Sequence, residues 1–350
     1  MKTKIYLLIL ATILGFGKLN AAIITVDNNT VVSGSPGQFV DLQAACTAAL
    51  AGDTILVVGS QTKYGDISIT KKLILLGPGV NPQRPNTNTA KIQLFRINNG
   101  ASNSTISGFY FDYGVDFNNS IIVQNITISK NFIANYATGS VKINGYPASG
   151  ISFFNNIIGG YCYLGNNPNI FISNNIFYQN AKISNSNKAS VSIKNNLFLG
   201  GGVAIENVEN AEISNNICIG KYSFNNVGLC TFNNNLIYDL YNFPSPYELP
   251  FGTNIGSGNL INQDPAFLKR EGDFSLTNNY GLQNSSPCKN TGTDGTDIGP
   301  SGGSYPFTNT FPLTAMPSIP VITQMQINGA SAVPFGNSNI NVTVKAKKQN

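Results

Sequence analysis

One asparagine-centred octet recurs six times between residues 126 and 237 of this 350-residue chain. The copies read ITISKNFI, ISFFNNII, IFISNNIF, VSIKNNLF, AEISNNIC and CTFNNNLI. Their key asparagines are Asn131, Asn156, Asn175, Asn196, Asn216 and Asn235, at spacings of 25, 19, 21, 20 and 19 residues. A fixed period of about 20 residues marks a stacked-coil architecture, in which each coil buries its apolar face only against its neighbours.

Within each octet, numbered from the key Asn as zero, positions −5 and −3 are apolar. They are Ile126/Ile128, Ile151/Phe153, Ile170/Ile172, Val191/Ile193, Ala211/Ile213 and Cys230/Phe232. Positions −4 and −2 are mostly Ser, Thr, Lys, Glu or Asn. This period of two predicts short strands with one buried face. The residue before the key Asn is usually a second Asn, which tolerates a left-handed turn. The key Asn then points inward, where an unpartnered amide would cost roughly 1–3 kcal/mol. Six of them in register therefore predict a ladder of side-chain amides running from coil to coil. The expected fold is all-β: a single parallel β-helix, or solenoid.

The pattern extends upstream in weaker form. Asp53-Thr-Ile-Leu-Val-Val, Asp66-Ile-Ser-Ile, Lys72-Leu-Ile-Leu-Leu and Ser104-Thr-Ile-Ser-Gly-Phe read as early strands, with Phe109 in the Asn place. Residues 41–51, capped by Asp41 and stopped by Gly52, read as a helix covering the N-terminal end of the stack. After about Asp264 the composition turns to Gly, Pro, Thr and Asp, giving an irregular closing segment. Two strands then follow in a C-terminal appendage, about residues 305–350.

Positions +1 and +2 are both apolar in every copy. Position +1 holds Phe132, Ile157, Ile176, Leu197, Ile217 and Leu236. Adjacent strand residues face opposite sides, so an apolar row outside the helix must be covered. The expected cover is the C-terminal segment 305–350.

The chain opens with Lys2, Lys4, an apolar stretch from Ile5 to Phe16, and Ala21, the pattern of a secretory signal over residues 1–21. The apolar stretch is short for a membrane span, which needs about 20 residues, so none is expected after cleavage. Residues 22–304 form the β-helix, and the localisation implied is secreted, periplasmic or cell-surface. Loss of three lysines with the signal lowers the formal net charge from +5 to +2, so no nucleic-acid footprint is implied. Five cysteines, Cys46, Cys162, Cys218, Cys230 and Cys288, occur without a CxxC pair. Cys218 and Cys230 take positions held elsewhere by Ile, Val and Phe, so buried free thiols are expected rather than a disulfide framework.

The NN octets, Val26-Asp-Asn-Asn, Ala51-Gly-Asp-Thr-Ile, Ser286-Pro-Cys-Lys-Asn-Thr-Gly and Thr296-Asp-Ile-Gly299 together resemble the right-handed parallel β-helix, or pectin-lyase-like, superfamily over residues 23–300. The last two motifs resemble the end signature of secreted bacterial β-helix-repeat proteins. The resemblance implies right-handed coiling and an extracellular polysaccharide partner, acidic in many members. It would imply Ca²⁺ only if the protein were lyase-like; no cofactor is expected otherwise. Because one fold hosts many functions, activity must be argued from residues.

The chemistry-bearing residues are sparse. The chain has no His, which removes Ser-His and Cys-His pairs, His-metal sites and polygalacturonase-like catalysis. No metal site is expected. Asp112 and Asp116 come nearest to an acidic cluster. Glu206, Glu209 and Glu212 lie close in sequence, but Glu212 sits at an outward −4 position beside Lys194. The candidate catalytic residues are therefore Lys182 and Lys221 as proton abstractors and Glu212 and Asp112 as carboxylates. Tyr178 and Tyr238 at +3, with Tyr161 and Tyr163 beyond another octet, are the candidate platforms for stacking a glycan. The reading is a non-catalytic glycan-binding or structural module. The alternative is a polysaccharide lyase or glycoside hydrolase acting on an acidic polysaccharide.

Overall fold

The structure is a computed structural model. It describes residues 21–29, 38–80, 88–134, 141–143, 145–179, 181–187, 190–200, 202–220, 224–238, 248–272 and 274–307, with the backbone of 321–328 and 341–347. The 1–21 signal assignment falls outside these residues apart from its last position.

The chain winds as a parallel β-solenoid with three strand-bearing faces. The first face is an 11-stranded sheet that contains the strands of all six octets. Its inward row runs Leu75, Ile106, Ile128, Phe153, Ile172, Ile193, Ile213 and Phe232 in direct register, and every member is buried. Positions −5 and −3 thus fill the core, as the period-two pattern predicts.

The other two faces belong to one 15-stranded sheet that bends. Early coils cross both faces in a single strand, Lys91–Asn98 and then Tyr110–Asn118. Later coils break that strand in two, as in Phe132–Ile133 with Val141–Lys142 and Ile157–Ile158 with Cys162–Tyr163. The sheet order shows two arms diverging from Tyr110–Asn118.

The turn between the first and second faces is made by the residue before each key Asn. Lys130, Asn155, Asn174, Asn195, Asn215 and Asn234 have φ between 50° and 58°. Asn pays little for this left-handed geometry. At Phe109 the same place is taken by Gly108, with φ of 84°.

The key asparagines form the expected ladder. Each Nδ2 donates to the Oδ1 of the next Asn at 3.0–3.1 Å, from Asn131 through Asn156, Asn175, Asn196 and Asn216 to Asn235. Each also donates to a backbone carbonyl of the preceding coil, such as Ile172 O from Asn196 at 2.9 Å. The ladder has a seventh member, Asn259, whose Oδ1 accepts from Asn235 at 3.0 Å. At its other end the backbone N–H of Phe109 donates to Asn131 Oδ1 at 3.0 Å.

A helix spans Leu42–Ala48, with Asp41 accepting from Ala44 N at its start. It is shorter than the expected 41–51. The chain leaves helical geometry at Ala49, where ψ is 147°, and Lys71 Nζ takes up the end carbonyls Thr47 O and Ala49 O at 2.8 and 2.7 Å. Leu42, Ala45 and Cys46 join the solenoid core.

The +1 residues do lie outside the core, and they are covered. They stack in register as Tyr110, Phe132, Ile157, Ile176, Leu197, Ile217, Leu236 and Leu260. Together with Phe267, Tyr280, Leu282, Cys288, Ile298 and Phe307 they form a second apolar cluster, separate from the core. Among the described residues the cover is the closing segment 267–307, which overlaps the expected 305–350 only at its end. From that C-terminal stretch Phe307 joins the cluster and Tyr305 stacks on Phe154 at 4.2 Å; residues 308–320 lie outside the described residues. Burial of one such side chain is worth about 1.5–3 kcal/mol, so the row is a large share of what holds the segment down. The expected C-terminal strand pair is present as an antiparallel hairpin, Val321–Asn328 with Asn341–Lys347, in a sheet of its own.

The closing motif can be read residue by residue. The Asp297 carboxylate accepts from Asn290 N, Lys289 Nζ and Ser301 Oγ at 3.0–3.2 Å. Ile298 is fully buried in the outer cluster. Gly299 has φ of 90°, and a Cβ there would sit 2.5 Å from Ile217 Cδ1. Asp297 staples, Ile298 anchors, and Gly299 lets the segment approach the sheet.

Candidate functional site: the third face and its edge groove

The third face carries an outward row that is mostly half-buried, with Ser184 buried and Asn225 exposed. That row runs Arg96, Asp116, Lys142, Tyr163, Ser184, Glu206 and Asn225 in register. Their sequence neighbours Phe95, Val115, Val141, Cys162, Ile183, Ile205 and Phe224 fill the core. Alternation on a pleated strand thus places the polar set outside.

Acids match the bases along this row. Arg96 bonds Asp66 at 3.0 Å and neighbours Asp116, which also neighbours Lys142. Burial pushes the Asp116 carboxyl above its ordinary value, against the pull of Lys142 and Arg96. Lys182 donates to Glu206 at 2.5 Å and lies over the Tyr161 ring, 4.6 Å from its centre. Asn225 donates to the other Glu206 oxygen at 3.1 Å. The hydrogen bond from Lys182 is the main reason the Glu206 carboxyl lies below its ordinary range.

An open groove of about 720 Å³ runs along the edge of this face. Tyr146, Asn166, Asn167, Asn185, Asn207, Glu209 and Asn226 line it. Asn185, Asn207 and Asn226 have φ of 63°, 52° and 49°, so each marks a turn off the face. Their side chains stack: Asn226 Nδ2 donates to Asn207 Oδ1 at 2.8 Å, and Asn207 Nδ2 to Asn185 Oδ1 at 3.4 Å. This outer amide ladder was not anticipated from sequence. Its signal is Ile183-Ser-Asn, Ile205-Glu-Asn and Phe224-Asn-Asn, an apolar–polar–Asn triplet once per coil.

The candidate residues fall in different places. Lys182 is in the cluster just described, beside Tyr161 and Tyr163, whose rings meet edge-on at 5.7 Å. Asp112 is paired with Lys63 at 2.6 Å. Glu212 lies on the first face, in a different sheet from Glu206, and pairs with Lys194 at 2.6 Å. The three neighbouring glutamates therefore do not form one carboxylate pair. Lys221 lies outside the described residues. Tyr178 offers no stacking face: its ring is buried in the outer cluster and stacks on Phe274 at 4.5 Å. Tyr238 packs half-buried against the same cluster. The reason is register, since +3 shares the covered side with +1.

Among the described residues no three Cys, Asp or Glu side chains converge as metal ligands would, and no helix is long and apolar enough to cross a membrane. All five cysteines are free and buried. The chain matches no protein-family model and no curated protein.

Proposed function

We propose that the protein is a secreted or cell-surface β-helix of the right-handed, pectin-lyase-like kind that binds a glycan in the groove beside the third face, without catalysing its cleavage. One observation carries this reading: an open groove in which six of the twelve lining residues are Asn and one is charged. Such a lining offers many hydrogen bonds and little acid–base chemistry. Tyr146 supplies an exposed ring at its rim, the usual complement to the apolar face of a sugar. The signal-like residues 1–21 support export to where such polymers occur.

Affinity gel electrophoresis of the full chain against a panel of polysaccharides tests the reading. Retardation by at least one polymer is expected; passage unaffected by all of them would refute it.

A second reading is favoured by Asp116. It is half-buried between Arg96 and Lys142 with a raised pKa, a state suited to general acid–base catalysis. In that case the protein is a polysaccharide-cleaving enzyme. Polymer incubated with the chain would then shorten or gain the ultraviolet absorbance of unsaturated sugars, and Asp116→Asn would abolish it.

A further inference from the structure

We infer that the groove is built for a neutral glycan, recognised through hydroxyls, and that it discriminates against acidic polymers. This rests on the glycan-binding reading and narrows its ligand class. The argument begins with valences. An Asn side chain has two N–H donors and two acceptor lone pairs. In the outer ladder Asn207 gives one N–H to Asn185 and takes one from Asn226. One donor and one acceptor are left over, both on an exposed residue. Asn185 and Asn226 are exposed as well, and the three repeat along the groove at the coil spacing of about 4.8 Å.

A sugar hydroxyl is also one donor with acceptor capacity, so paired amide valences match it on both counts. A carboxylate accepts only; it would leave every amide oxygen unmatched. It would also meet Glu209, the one charged side chain among the described residues of the lining. The bases nearest by register give no compensating positive field: Arg96 bonds Asp66, Lys182 bonds Glu206, and Lys142 faces Asp116. Like-charge contact, with no cation among the described residues to offset it, disfavours an acidic ligand.

The test uses the full chain in affinity gels containing a neutral β-glucan or galactomannan, or the acidic polymers polygalacturonate and alginate. Asn207→Gly and Asn226→Gly are combined, because glycine keeps the left-handed backbone that alanine would strain. Retardation by a neutral polymer, little changed by salt, is expected. The double variant should weaken it about tenfold, the loss of one or two hydrogen bonds. Glu209→Lys should create retardation by the acidic polymers, and its failure to do so would overturn the role given to Glu209. Retardation by an acidic polymer that matches the neutral ones and vanishes in the double variant would overturn the neutral assignment while leaving the glycan reading standing. Neutral binding indifferent to the double variant would overturn the assignment of the groove. Absence of binding to every polymer would remove the glycan reading, and this inference with it.

Discussion

Asn174 and Asn175 are sequence neighbours that bind opposite sides of one turn. Asn175 points inward and donates to Asn196 Oδ1 at 3.0 Å. Asn174 points outward and donates to the carbonyls of Pro300 and Gly302 at 3.1 and 2.6 Å. The same division holds along the stack: Asn155 donates to Tyr305 O, Asn195 to Asp297 O, Asn215 to Thr293 Oγ1 and Asn234 to Thr291 O. The second Asn of each pair ties coil to coil; the first ties the closing segment to the coils. Lys130 replaces the first Asn in the earliest octet, and the described hydrogen bonds from this row to the closing segment begin one coil later, at Asn155.

This division predicts two distinct phenotypes. Asn196→Ala removes the acceptor for Asn175 N and Nδ2 and the donor to Ile172 O and Asn216 Oδ1. Buried groups left unpaired cost about 1–3 kcal/mol each, so global stability measured by urea unfolding should fall by at least about 2 kcal/mol. Asn174→Gly keeps the turn geometry and removes only the outer bonds. It should raise hydrogen exchange and protease cleavage within 291–305 while the solenoid midpoint moves little. Equal global losses in both variants would contradict the division.

Gly299→Ala should loosen the same segment for a different reason. A side chain at φ near +90° is strained by about 1–2 kcal/mol, and the new methyl would also press on Ile217 Cδ1. Ile217→Ala in the same chain should relieve the second penalty and leave the first, although it opens a cavity of its own. A double-mutant cycle read by thermal unfolding should therefore show positive coupling; strict additivity would show that the Ile217 contact is not the constraint.

Much of this fold is legible in the sequence, and the reason is periodicity. Ile128, Phe153 and Ile172 declare the core because strand alternation has no other use for them, and the Asn ladder follows from the cost of burying an amide. Asn259 escaped because Gly258 replaces the usual first Asn and no regular strand precedes it, although Gly-Asn-Leu-Ile repeats the end of the sixth octet. The outward direction of the +1 row was legible; its partner was not. The closing segment has no period, and its anchors Phe267, Tyr280, Leu282 and Ile298 are scattered among Gly, Thr and Asp. Tyr178 illustrates the same limit. Its position in the octet gives the side of the sheet but not what lies upon it. The groove is hard to read from sequence because the three asparagines of its ladder, Asn185, Asn207 and Asn226, carry a turn signal that is common in loops.

The cysteines give a third prediction. All five are buried and free, and burial pushes the thiols of Cys46 and Cys288 up to about 12. The thiolate is the reactive form. Native protein at mildly alkaline pH should therefore resist iodoacetamide, with five carbamidomethyl groups appearing by mass spectrometry only after denaturation. Reductant should leave the melting temperature unchanged. Rapid labelling of the native chain would mean that these sites open readily.

Asp116 gives the fourth. Its carboxyl is pushed above the usual 3.8, chiefly by burial, with Lys142 and Arg96 pulling it back. A raised folded value means that the folded chain holds the proton more tightly than the unfolded one. The stability from this group is thus fully present below the unfolded value and is lost as pH rises through the folded value. At neutral pH Asp116 is a charge that costs the fold stability, and Asp116→Asn should melt higher than the parent. The gap should close as pH falls below the ordinary carboxylate range, where both side chains are uncharged. Thermal melts of the two proteins across that range measure it directly. A lower melting temperature for Asp116→Asn at neutral pH would mean that attraction to Arg96 and Lys142 outweighs the loss of solvent, and that the third face is held together by its charges.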